Sequence, residues 1–148
     1  MTSYSHTQTL PEKLLYGAGA ASFLLGFSLP GLIMRMLMWG AAGGVLTMIS
    51  SLTVEIENQT LKITFGKGIY KKEWNIDEFT DCRKVETKIW QGWGVHFIGN
   101  GWLYNIYGRD AIELKMRNGQ VTLIGTDEPD KLLDALASII PVNSTVSS

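Results

Sequence analysis

The densest set of side chains able to recognise something lies between residues 90 and 107. Trp90, Trp93, His96, Phe97, Trp102, Tyr104 and Tyr107 fall within eighteen residues, separated by Gly92, Gly94, Gly99 and Gly101. Aromatic side chains supply much of the contact energy at protein interfaces and also gather at water–lipid boundaries. The segment therefore reads as a binding loop, or as a β-connection whose rings fold back over the domain. Lys67, Lys71 and Lys72 form a small basic edge. Beside an anionic lipid surface each would contribute on the order of 1 kcal/mol. Glu73 and Asp77 follow closely, so a plain solvated strand face is the other reading. The candidate partner or membrane-surface contacts are Trp90, Trp93, Trp102, Tyr104, Lys67, Lys71 and Lys72.

Catalytic chemistry is harder to assemble. His96 has no Ser-Asp or Cys pattern near it, so nothing completes a general base or an activated nucleophile. Cys82 stands between Asp81 and Arg83-Lys84, and cations can lower a thiol pKa. A single reduced thiol is more often inert. One Cys and two His do not make a zinc site. Gly66-Lys67-Gly68 lacks the spacing of a phosphate loop. The acids are scattered rather than convergent. No catalytic, cofactor-binding or metal-ligating residue is assigned, and no enzymatic activity is expected. A net charge of −1 gives no reason to expect nucleic acid.

The elements that must position these residues come from a chain of 148 residues with a divided character. Between Leu14 and Val54 the only charged residue is Arg35. From Glu55 onward Lys/Arg and Asp/Glu are both frequent. The apolar part is two runs, 14–29 and 31–50, split by the turn signal Pro30-Gly31. The second run meets the length of a membrane-spanning helix, and the first approaches it. Glu12 and Lys13, with no basic run ahead of them, argue against a cleaved signal peptide. Small residues recur at helical spacing: Ala18, Ser22 and Gly26 in the first run, Gly40 and Gly44 in the second. Such stripes permit close helix packing in lipid. Lysines flank the pair and only Arg35 lies near the turn, which predicts both termini in the cytoplasm. The expectation is a transmembrane hairpin, multi-pass in the inner membrane, contacting the bilayer through residues 14–50.

From Leu52 the period becomes two. Leu52, Val54 and Ile56, then Leu61, Ile63 and Phe65, alternate with polar residues around an Asn58-Gln59 turn. Further strands are expected over 69–76, within 80–89, over 112–116 and from Val121. Asn118-Gly119 is a strong hairpin signal. Thr126-Asp127-Glu128-Pro129 opens a helix whose apolar face is Leu132, Leu133, Leu136, Ile139 and Ile140. Pro141 stops it. The division is 1–51 for tail and hairpin, 52–141 for the β domain with its helix, and 142–148 for a flexible tail.

The hairpin, the run from Ser51 to Glu55, Gly92-Trp93-Gly94-Val95-His96, Gly101-Trp102-Leu103-Tyr104-Asn105-Ile106 and Ile124-Gly125-Thr126-Asp127-Glu128-Pro129 together resemble the bacterial membrane-anchored pleckstrin-homology-like (PH-like) proteins. The resemblance implies an α+β membrane protein. Its fold would be a transmembrane hairpin followed by a six- or seven-stranded PH-like β-barrel capped by a C-terminal helix. The turn at Asn58-Gln59 lacks the basic residues with which eukaryotic members hold inositol phosphates. The function expected is a membrane-anchored cytoplasmic interaction or scaffold module with a protein partner. A lipid-headgroup-binding module, or an accessory subunit of a membrane enzyme or transport complex, is the alternative.

Overall fold

The computed structural model describes residues 3–88 and 91–140. Its core is built from the period-two stretches. Strands β2 (Ser51–Glu57), β3 (Thr60–Phe65) and β4 (Tyr70–Asn75) form an antiparallel meander. Their apolar residues meet in register: Leu52 opposite Phe65, Val54 opposite Ile63, Ile56 opposite Leu61. All six are buried. The β2–β3 turn places Asn58 and Gln59 at φ 48° and 65°, the left-handed conformation that a two-residue hairpin needs. A first strand, β1 (Tyr4–Thr9), pairs with β2 and completes sheet A in the order β1-β2-β3-β4. It lies ahead of the apolar runs, so sheet A draws on both sides of them.

A second sheet, B, holds β5 (Phe79–Glu86), β6 (Gly94–Phe97), β7 (Gly101–Asn105), β8 (Asp110–Met116) and β9 (Val121–Gly125), in the order β5-β8-β9-β7-β6. The β7–β9 pair is parallel and the rest antiparallel. Gly101 opens β7 directly against the Val121 backbone, where any side chain would collide. The two sheets enclose one core. It runs from Leu52, Ile63, Phe65 and Trp74 on sheet A to Cys82, Tyr104, Ile112, Leu114 and Ile124 on sheet B.

Helix α3 (Pro129–Ala137) follows β9 with proline in its first turn. Thr126 Oγ1 accepts from the Glu128 amide, 3.0 Å, tightening the entry. Leu132 and Leu136, with Ile140 just beyond, are buried, while Leu133 and Ile139 are partly so. This face packs on β5 and β8. His6 ties β1 to the same corner, with Nε2 2.6 Å from Asp127 and Nδ1 3.4 Å from Glu128.

Helices α1 (Glu12–Phe27) and α2 (Leu32–Met48) form an antiparallel hairpin inserted between β1 and β2. Its base is closed by the sheet itself: Thr9 pairs with Ser51, and the Leu10 amide donates to the Ser50 carbonyl, 2.9 Å. The two helices are clasped by rings. Trp39 stacks on Phe23 at 5.1 Å and meets Phe27 edge-on at 5.5 Å. The Trp39 indole lies against Gly26, which has no side chain to push it away. Gly40 and Gly44 face no neighbouring atoms among the described residues, so the expected close packing through the second small-residue stripe does not occur there.

Three expectations are corrected. No helix among the described residues is long and apolar enough to cross a membrane. With 16 and 17 residues, α1 and α2 extend roughly 24 Å and 26 Å, short of a hydrocarbon core about 30 Å thick. The terminal turns of both apolar runs are spent on the tip and on joining β2. The transmembrane hairpin, and with it the multi-pass inner-membrane placement with two cytoplasmic termini, is therefore overturned. The expected β-barrel is also replaced. Among the described residues the strands divide into a four-stranded and a five-stranded sheet, and no barrel closes. The fold is α+β. The tail at 142–148 lies outside the described residues, as does Trp90.

Candidate functional site

Sheet B is one strand wider than sheet A, and the difference shows beside β4. Tyr70, Lys72 and Trp74 alternate along β4 toward sheet B, while the outer edge of β4 pairs with no strand among the described residues. Facing them on sheet B are Trp102 and Tyr104 of β7, then Val121 and Thr122 of β9. A cleft of about 460 Å³ opens between the two. That volume falls in the range of roughly 300–1,000 Å³ common for ligand sites.

The cleft floor is aromatic. Tyr104 touches Trp74 edge-on at 5.5 Å and stacks with Tyr70 at 6.3 Å. Burial, then the neighbouring Tyr70, pushes the Tyr104 phenol well above its ordinary value, so it stays neutral. Lys72 Nζ lies over the Trp74 ring, 5.9 Å from its centroid, a cation–π contact. The acids around it are partly engaged elsewhere. Glu73 lies 4.0 Å from Lys62, and Glu78 accepts from the Asn75 amide, 3.1 Å. Trp102 is 44% exposed and meets Phe97 of β6 edge-on at 5.5 Å. Phe97 and Trp102 are register partners and so share a face of the sheet. It is the same face that carries Val95 and Tyr104 into the core.

The candidate residues read from the sequence thus separate into two places. Lys72, Trp102 and Tyr104 come together in the cleft. Trp93 instead pairs edge-on with Tyr107 at 6.0 Å, over a smaller hollow bounded by Thr87 and Arg109. Close by, Gly94 approaches Ile49, just past the end of α2. Lys67 and Lys71 belong to the β3–β4 turn and the start of β4. Gly66 of that turn lies against the Thr47 carbonyl in the last turn of α2. Trp93 and the lysine turn therefore both adjoin the base of the helical hairpin. Two cleft residues were missed by sequence reasoning, Tyr70 and Trp74. Their i, i+4 spacing on a strand, which puts both on the face of Lys72 between them, was the available signal.

The polar groups suggested for chemistry have structural occupations. The His96 imidazole bonds the Trp93 carbonyl within its own loop. Cys82 is buried in the core, and burial followed by the Asp81 charge pushes its thiol up to about 11. Among the described residues no group of three His, Cys, Asp or Glu is placed to hold a metal ion. No family model matches the chain, and no curated protein matches it.

Proposed function

We propose that the chain is a non-catalytic interaction module that docks on a lipid surface by partial insertion of the α1–α2 hairpin. The observation that carries this reading is the distribution of apolar surface on the hairpin. Leu32, Ile33 and Met34 are consecutive, and each is at least half exposed. At 3.6 residues per turn, three successive side chains sweep roughly 200° of the helix circumference. Phe23, Leu24, Leu25 and Phe27 do the same on α1. A protein partner covers one face of a helix. Apolar residues on all sides call for an apolar phase.

The base of the hairpin supports the same reading. Lys67 and Ile69 on the β3–β4 turn, with Lys71 at the start of β4, and Trp93 next to Gly94 adjoin the end of α2. Ile69 and Trp93 are exposed. Lysine and tryptophan at that level suit the headgroup zone, where amphipathic side chains sit and cations meet anionic lipids. At the tip, Arg35 turns back so that Nε donates to the Leu29 carbonyl, 2.9 Å, with the guanidinium 5.7 Å from the Phe27 ring. This screens the one charge between Leu14 and Met48. Insertion stops short of crossing, because the helices are shorter than the hydrocarbon core.

Flotation with vesicles tests the proposal. The chain should float with vesicles of neutral lipid and more strongly with added anionic lipid. Lys67→Glu with Lys71→Glu should remove the anionic increment. In a Cys82→Ser background, a cysteine at position 30 should resist an impermeant maleimide trapped inside sealed vesicles. Labelling from the interior, or no flotation, overturns the proposal.

A further inference from the structure

We propose that the cleft beside β4 is a strand-acceptor site. It takes an extended peptide segment of a partner protein, paired to the free edge of β4, with an acidic side chain at Lys72 and a large apolar side chain on Trp102.

The argument begins with strand number. Among the described residues sheet B has five strands and sheet A has four. The core-facing side of sheet B therefore continues past the edge of β4, carrying Trp102 and then Phe97. These residues share a face with Tyr104 and Val95, which are packed into the core, yet they are 44% and 61% exposed. A strand added to β4 would lie above them and bring sheet A to five. Adjacent strands are spaced about 4.8 Å apart, so the added strand would occupy the 460 Å³ cleft.

The main chain supplies the pairing. A peptide added to a sheet edge gains its affinity from backbone hydrogen bonds and its specificity from alternate side chains. β4 runs six residues, Tyr70–Asn75, with no proline and no bulge, in unbroken register with β3. Its free edge is regular and long enough to template a partner strand. Lysines on an edge deter pairing with basic or purely apolar strands. By the same charge they favour an acidic one.

The side chains set the specificity. Inward residues of the added strand alternate, so one falls beside Lys72 and the next inward residue, two along, falls beside Trp74 or Tyr70. The first meets an ammonium that lies over the Trp74 ring and, among the described residues, pairs with no carboxylate. A Glu or Asp there forms an ion pair backed by an aromatic face. The second meets Trp102 and the Tyr104 floor, which suits a large apolar side chain. Both wall strands are held by ordinary sheet pairing, so the acceptor is largely preformed.

The test uses the full chain in detergent micelles and a display library of random heptapeptides. Enriched peptides should carry Glu or Asp two residues from a large apolar residue. Methylating alternate amides of a synthetic enriched peptide, on the edge that pairs, should weaken binding at least tenfold. Trp102→Ala should weaken it by a similar factor. Lys72→Glu should shift selection toward peptides with Lys or Arg at the acidic position. Both substituted side chains are exposed, and unfolding midpoints near wild type confirm intact folds. Enrichment that Trp102→Ala leaves unchanged, binding indifferent to amide methylation, or unaltered selection by Lys72→Glu overturns the proposal, as does no enrichment. The micelles hold the hairpin in every arm, so failure of lipid docking and failure of peptide binding remain separate results.

Discussion

Cys82 shows how placement decides what a side chain does. In the sequence it stands beside two cations, the setting that activates a thiol. On β5 the side chain points between the sheets, and Arg83 points the other way to pair with Glu113 at 2.6 Å. Burial then raises the thiol to about 11 from an ordinary 9.0. A raised acid holds its proton more tightly in the folded state than in the unfolded one. Its contribution to stability is complete below pH 9 and declines as pH rises through 11. At pH 8 the folded chain should react with a disulfide reagent far more slowly than the denatured chain. Rapid labelling without denaturant would show that the β5 side of the core is open. The aromatic segment follows the same logic. Its residues were legible as a group, but not as two groups. Trp102 and Tyr104 are two apart on β7 and share a face, whereas Trp93 precedes Gly94, whose φ of 100° redirects the chain.

At the scale of elements, what the sequence made legible depended on one-sided burial. β2, β3, β8 and α3 each bury one face, and each wrote that face into its residues as a period of two or of 3.6, whereas β9 is buried on both faces from Thr122 to Gly125 and breaks the alternation at Ile124. β1 left no such trace. Its residues Tyr4–Thr9 are mostly polar and join sheet A through main-chain bonds to β2. The parallel β7–β9 pairing was equally hidden, because it joins segments separated by β8. The expected barrel failed on this point: the alternation marks which residues face inward and not how strands divide between sheets. Helix α3 offers a direct check on one-sided burial. Leu136 is fully buried against β5 and β8, while Lys131 is exposed and reaches Glu128 at 2.6 Å. Leu136→Ala should cost about 2–5 kcal/mol, a large part of the roughly 5–15 kcal/mol that holds a domain. Lys131→Ala should stay within about 0.5–1 kcal/mol, since an exposed pair is worth little. Equal losses in a denaturant titration would mean that α3 does not close the sandwich.

At the scale of the molecule, the helical hairpin is an excursion from a β-hairpin. Its length was misjudged from the sequence because the apolar runs do not end where the helices end. Ser28, Leu29 and Pro30 belong to the tip, and Ile49 and Ser50 lead into β2. The chain leaves sheet A after Thr9 and returns at Ser51, its pairing partner, with Leu10 and Ser50 still bonded. Two strands at that separation need only a two-residue turn. Within the hairpin only Gly26 is buried. The hairpin's contribution to the domain core comes from Met48 and Ile49, which are partly buried against it. Replacing residues 11–49 with Asn-Gly should therefore leave a folded domain that unfolds cooperatively. The loss should be limited to the Met48 and Ile49 contacts, about 2–4 kcal/mol. The same replacement removes the all-round apolar surface, so the shortened chain should stay monomeric without detergent and no longer float with vesicles. It should retain the cleft, because β4, β7 and β9 lie outside the deletion. Loss of cooperative unfolding would show that α1 and α2 belong to the core after all. A folded product that still floats would move lipid contact from the hairpin to the sandwich surface.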